Sequence, residues 1–308
     1  MRRIAKKRIS PTHEGFVSGA GAEIYYKTVG RGLPLVLLHG GPGADHSDFL
    51  PYLRPLARRY QLVLVDERGS GRSERLKDPK HYTLKSMVDD LEVLRKHLRL
   101  KRWVMLGHSF GGILAQAYAV RYPKYLAGLV LAGTASTAKS INADFRRIRR
   151  TTKAPLRARL DAHESTGIFQ RDGEYRPAYA ALSARVLAPF MYAKPPPARF
   201  TEPAAVAMEV LREMWVRRSD FRIDGNLKGF DFTAQLSRVK APALVVIGDR
   251  DLVTTPSAQL SRASLPRASL VVMAECAHMM FVDQTVRFNH LLDGFMRHCA
   301  LFERRADS

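Results

Sequence analysis

Six short apolar runs, rich in β-branched residues and separated by helical or loop sequence, constrain this chain more than any other feature. They are Leu35-Val36-Leu37-Leu38, Leu62-Val63-Leu64-Val65, Trp103-Val104-Met105-Leu106, Leu129-Val130-Leu131, Leu244-Val245-Val246-Ile247 and Leu270-Val271-Val272-Met273. Continuous apolar runs of this kind read as strands buried on both faces, the pattern of a parallel sheet covered by helices. Between the second and third runs, Leu84, Met87, Val88, Leu91, Leu94 and Leu98 recur at helical spacing behind an N-cap at Thr83, which predicts a crossover helix over 83–98. A second helix is expected to start just after Ser109 and stop before Pro123, and a third, over 283–298, to close the fold. Upstream, Gly19-Ala20-Gly21 divides 14–28 into two strand-like runs, as in a hairpin at a sheet edge.

The alternation lapses after Gly133 and resumes at Leu244, and the sequence between is helical, Arg-rich and interrupted by Lys194-Pro195-Pro196-Pro197, a stiff loop within an insertion. A chain of 308 residues with 46% hydrophobic content can bury a large core. Its 50 Lys and Arg against 29 Asp and Glu leave a formal charge of +21, which raises the question of a nucleic-acid or anionic partner. Apart from the arm at 1–8 and the run Arg146-Arg147-Ile148-Arg149-Arg150, however, the basic residues are scattered among acids and lack interleaved aromatics. They read as solvated surface, with no specific nucleic-acid partner. The charged start is not followed by the apolar stretch of a secretory signal, and no run reaches spanning length, so a soluble, cytoplasmic protein with no membrane partner is expected. Cys276 and Cys299 form neither a disulfide framework nor zinc-like spacing, so no metal or cofactor is expected. Nothing in the sequence sets the oligomeric state.

The chemistry is carried by Gly107-His108-Ser109-Phe110-Gly111, a G-x-S-x-G pattern between an expected strand and an expected helix. In that context the turn is sharp: small residues at 107 and 111 let the backbone fold back while Ser109 Oγ projects above the sheet, at the start of a helix whose first amides favour negative charge. The loop His39-Gly40-Gly41-Pro42-Gly43 follows the third strand, and its glycines let backbone amides approach a reacting carbonyl. Gly41 N–H and Phe110 N–H are the expected oxyanion donors, with His39 holding the loop. In the chain order Ser, Asp, His, the acid falls in Gly248-Asp249-Arg250-Asp251 and the base in Cys276-Ala277-His278. Asp251 is favoured over Asp249, which is left as a turn residue or a partner of Arg250. The expected triad is therefore Ser109, Asp251 and His278. A serine nucleophile argues against the alkyl-enzyme chemistry that an aspartate would support.

Three blocks give the chain its resemblance: His39-Gly40-Gly41-Pro42-Gly43, Asp66-Glu67-Arg68-Gly69-Ser70-Gly71-Arg72-Ser73 and Gly107-His108-Ser109-Phe110-Gly111-Gly112. With them it resembles the proline iminopeptidase branch of the α/β-hydrolase fold family. The resemblance implies a mostly parallel eight-stranded sheet flanked by helices, with a core of 1–135 and 236–308 and a helical cap of 136–235 inserted after the sixth strand. It also implies a serine hydrolase that releases an N-terminal residue from a small or short-peptide substrate. Family cap acids bind the substrate's α-ammonium, which points to Asp220 in this chain, and Trp215, Phe221 and Phe230, with Phe110, are expected to line an apolar pocket. Asp220 is shorter than the usual glutamate and Leu252 stands where an acid often follows the triad aspartate. A carboxylesterase or amidase for neutral substrates is the alternative, and a ligand receptor that retains the triad without turnover is a third reading.

Overall fold

The computed structural model describes residues 12–165, 176–197, 206–216 and 219–306; the basic arm at 1–8 lies outside them. In chain order the elements are β1 (His13–Ser18), β2 (Glu23–Val29), β3 (Pro34–Leu38), α1 (Leu50–Leu53), β4 (Gln61–Val65), α2 (Leu84–His97), β5 (Trp103–His108), α3 (Phe110–Arg121) and β6 (Leu126–Ala132). Then come α4 (Ala138–Thr151), α5 (Ala154–Ser165), α6 (Arg176–Met191), α7 (Met208–Met214), α8 (Thr233–Leu236), β7 (Ala243–Gly248), α9 (Thr255–Ala263), β8 (Ala268–Met273), α10 (Met280–Asp283) and α11 (Thr285–Ala306). Each of the six apolar runs is a strand. Thr83 caps α2 by accepting the Ser86 amide at 3.1 Å.

One eight-stranded sheet holds the chain together in the order β1-β2-β4-β3-β5-β6-β7-β8. β2 runs antiparallel to β1 and β4, and every other pair is parallel. Because side chains alternate across a strand, each run feeds two cores. Val36, Leu38, Met105, Leu129, Leu131, Val245 and Ile247 pack with α2, α3 and the insertion. Leu35, Leu37, Val104, Leu106, Val130, Leu244 and Val246 pack with Phe281, Phe288, Leu292 and Met296 of α10 and α11. Double-sided burial fails at the two edge strands: on β1 Phe16 is 48% exposed, and on β8, alone among the six runs, Val272 is 40% exposed. The closing helix also differs from the expected 283–298: it breaks at Gln284, where φ is −133° and ψ 55°, and then runs on to Ala306.

Register sets the site. Leu38 lies opposite Gly107, His108 opposite Ala132, Ala132 opposite Val246 and Gly248 opposite Met273, so the carboxyl ends of five parallel strands finish at one edge. Ligands of open α/β sheets bind along such an edge. The chain between β6 and β7 leaves and returns through a neck, in which Ala138 N–H donates to Phe230 O at 2.9 Å and Phe232 N–H to Ser136 O at 3.0 Å. Helices α4 to α7 lie between the two sides of that neck.

One close joint is between β3, β5 and α3. A Cβ on Gly111 would sit 2.2 Å from the Leu38 carbonyl oxygen, a backbone atom that cannot step aside. Gly111→Ala is expected to lose about 3 kcal/mol of stability in urea titration, as overpacked cores do. Stability equal to the unaltered protein would contradict this contact.

Candidate active site

Ser109 occupies the step from β5 to α3 with φ 55° and ψ −119°, a conformation that costs a non-glycine residue about 1–3 kcal/mol. The surroundings hold it there. Its N–H donates to Ala132 O of β6 at 2.9 Å, and its carbonyl accepts the Gly112 amide at 3.0 Å. A Cβ on Gly107 would meet the Gly111 carbonyl oxygen at 2.2 Å, so strand and helix close only because 107 and 111 lack side chains. The half-buried serine is thus lifted above the sheet edge. Phe110 begins α3, and its amide has no acceptor four residues back within the helix.

His278 and Asp251 meet beyond β8 and β7. Nδ1 of His278 lies 2.7 Å from Asp251 Oδ1, and both residues are 4% exposed. With Nδ1–H donating to the carboxylate, Nε2 is the basic nitrogen. Asp251 also accepts the amides of Val253 at 3.0 Å and Gly248 at 3.4 Å. Gly133 makes room for the pair: at φ 56°, its missing Cβ would fall 2.9 Å from His278 Nδ1 and 3.2 Å from Asp251 Oδ2. Asp249 does not pair with Arg250; it accepts the Glu275 and Cys276 amides at 3.1 and 3.0 Å and stitches the Asp251 loop to the His278 loop.

His108 is a residue that the sequence reading passed over. Burial, and after it the neighbouring His278, push its pKa down to about 3, so the ring is neutral. Its Nε2–H donates to the His278 carbonyl at 3.0 Å, which ties the His278 loop to the residue before Ser109. Position beside the nucleophile was the only signal available.

The glycine loop after β3 arches over the serine. A Cβ on Gly40 would lie 3.3 Å from Ser109 Cβ, and Gly41 and Gly43 take φ values of 120° and 94°. His39, 1% exposed, anchors the loop through Nδ1–H to the Gly40 carbonyl at 2.8 Å and through Nε2 to the Glu67 carboxylate. Burial alone would lower the His39 pKa. The Glu67 charge and hydrogen bond, with the Gly40 carbonyl, outweigh it and raise the pKa to about 9. The rest of the Asp66–Ser73 block underlies the loop: Asp66 accepts His46 Nδ1 at 2.7 Å and the Arg72 amide at 2.9 Å, and Arg68 holds Asp90 with two bonds of 2.8 Å.

Ser109 and His278 line one small cavity of about 30 Å³, room for one or two water molecules. Ile141, Phe145, Trp215, Leu252 and Val253 form its apolar walls, and Thr134 and Asp144 add polar atoms. Of the expected pocket residues, Trp215 alone reaches it among the described lining. Phe110 turns into the core beneath, fully buried. Phe221 stands behind the wall with its ring 6.1 Å from Phe145, and Phe230 packs on Phe232 at 5.6 Å. Asp220 lies in a separate polar cluster, its amide donating to Tyr179 Oη at 3.1 Å. Asp144, missed from sequence because nothing distinguishes it from any other helical aspartate, is 6% exposed on α4. It accepts Thr254 Oγ1 and Ser257 Oγ at 2.7 Å each and the Thr254 amide at 3.2 Å. All three donors are neutral.

A family description of the alpha/beta hydrolase fold matches residues 34–285, and the chain belongs to that family. The chain is 30% identical over 287 residues to the proline iminopeptidase of Saccharolobus solfataricus, with 92% of each chain covered, which places it in the proline iminopeptidase branch. The crystal structure of a proline iminopeptidase from Mycobacterium smegmatis superposes with a TM-score of 0.82 at 23% identity, covering 94% of this chain and all of that one. Est816, described as an N-acyl homoserine lactone degrading enzyme, superposes with a TM-score of 0.64 at 23% identity over 91% of this chain.

The His39–Glu67 pair makes stability depend on pH. A histidine whose folded pKa is raised from 6.5 to about 9 contributes stability that is complete below pH 6.5 and lost as pH climbs through about 9. Denaturant titrations should show stability falling across that window, and Glu67→Gln should flatten the fall. An unchanged slope in the variant would show that the pair is not the source.

Proposed function

We propose that this protein is a serine hydrolase with Ser109 as nucleophile, His278 as general base and Asp251 as the residue that orients it. His278 Nε2 takes the hydroxyl proton as Ser109 Oγ adds to the substrate carbonyl, and Asp251 stabilises the imidazolium. The oxyanion is met by Phe110 N–H and Gly41 N–H, donors typically worth about 3 kcal/mol each in the transition state. His278 returns the proton to the leaving group, and water then releases the acyl group. Helices of 136–235 form the cap. Because the closed cavity holds little more than water, that cap must shift to admit a substrate. We place the protein in the cytoplasm, which its two buried free thiols, Cys276 and Cys299, support.

The reading is an aminopeptidase acting on a small or short-peptide substrate, and the observation that carries it is Asp144. Asp144 places a buried carboxylate in the wall of the nucleophile's cavity, held by the first turn of α9 and with no cation paired to it among the described residues. A substrate α-ammonium would complete it, while Phe145, Trp215 and Ile141 suit an apolar N-terminal side chain. The second reading, an esterase or amidase for neutral substrates, is favoured by Leu252 in the cavity wall. Its relationship to Est816 is one of fold.

L-Proline p-nitroanilide and its N-acetyl form separate the two. The unaltered protein is expected to prefer the free amine, and Asp144→Asn to lower kcat/KM for it about 10- to 100-fold, the loss of one hydrogen bond to a charged group, with little effect on neutral substrates. Equal rates on both anilides would sink the aminopeptidase reading. An equal loss on all substrates would show that Asp144 only braces α9.

A further inference from the structure

The loop that carries His278 is held by the cap as well as by the sheet. Helix α6 ends at Met191, and the carbonyls of a final turn have no partners inside their helix. Two of them find partners in the base loop: Phe190 O accepts the His278 amide at 2.9 Å, and Met191 O accepts the Met279 amide at 3.0 Å. Just beyond, Asp283 bridges the same two segments. Its Oδ2 accepts the Ala277 amide at 2.8 Å, and both of its oxygens lie 3.1 Å from the Ala193 amide.

On the opposite side His108 Nε2–H reaches the His278 carbonyl at 3.0 Å. The peptide of the base is therefore strung between the nucleophile's strand and the last turn of α6. The acid loop is touched by the cap too: Arg147 of α4 reaches the carbonyls of Asp251 and Leu252 at 3.4 and 3.5 Å, and its guanidinium lies 5.2 Å from the Phe190 ring. Arg147 and Phe190 join the two cap helices above the His278–Asp251 pair.

We infer that Asp283 is a positioning residue through which the seated cap sets the register of His278. Asp283 does not line the cavity and touches no reacting atom. Its carboxylate fixes the residue before the base relative to the segment that follows α6. When the cap swings to admit substrate, these bonds loosen; when it closes, they return the imidazole to Asp251 and the nucleophile. The alignment of the triad is thereby coupled to closure over a bound substrate. This inference rests on His278 being the base.

p-Nitrophenyl acetate is a suitable probe, since its turnover requires the triad whether the protein prefers amines or neutral esters. Asp283→Asn is expected to lower kcat about 10- to 100-fold with KM changed by less than about 2-fold, the signature of a displaced catalytic group. Ala193→Pro removes the cap-side donor, while also fixing the backbone at 193 and restricting Tyr192, and is expected to lower kcat by a similar factor, with the double variant falling no further. Melting temperatures measured alongside separate a loss of folded protein from a loss of rate. If Ala193→Pro keeps the unaltered kcat, the link to the cap is wrong. If Asp283→Asn melts earlier but turns over normally, or changes only KM, Asp283 is a structural brace alone. Failure of the underlying assignment looks different: His278→Ala would then be as active as the unaltered protein.

Discussion

A single serine held at positive φ, where β5 gives way to α3, is the constraint on which the rest of the structure depends. That conformation is unfavourable by itself and persists because β6 accepts its amide and because three neighbouring positions carry no side chain. Gly107 and Gly111 allow helix and strand to meet; Gly133 leaves space for the His278–Asp251 pair. A methyl group at any of them would push against a backbone oxygen or the imidazole. The strain at Ser109 is sustained by the packing of the whole sheet edge, which ties the chemistry to the fold.

Around that turn, charged side chains hold loops rather than react. His39 with Glu67, Asp66 with His46, and Arg68 with Asp90 fix the glycine loop and the block beneath it. Asp249 and Asp283 bind the amides of the His278 loop. Each of these carboxylates has a cation or several amides facing it, the exposed Asp249 and partly buried Asp283 as well as the buried ones. Asp144 differs in its place: it lines the cavity beside Ser109 and His278 with no cation paired to it among the described residues, and it is the group proposed to meet a cationic substrate.

Much of this was legible in the sequence wherever the signal is local. Apolar runs fixed in length by the sheet, the threonine cap of α2 and the G-x-S-x-G turn each declare themselves within a few residues. The order of Ser109, Asp251 and His278 followed from strand ends, and the structure sets Asp251 against His278 and brings His278 to the serine's cavity. What could not be read depends on contacts between distant segments. The exposure of β8 follows from its place at the sheet edge, and the break at Gln284 interrupts a helix whose apolar pattern continues on both sides. Phe221 and Phe230 have the composition of pocket residues, but they pack on Phe145 and Phe232 outside the described cavity lining. Asp144 and His108 gain their meaning only from what folds against them.

The proposed chemistry requires Ser109 to be an activated nucleophile. Reaction with a fluorophosphonate, followed by peptide mass mapping, tests this directly. A single adduct on the peptide that contains Ser109, with labelling lost in His278→Ala, is the predicted result. An adduct elsewhere, or labelling undiminished without the imidazole, would contradict it.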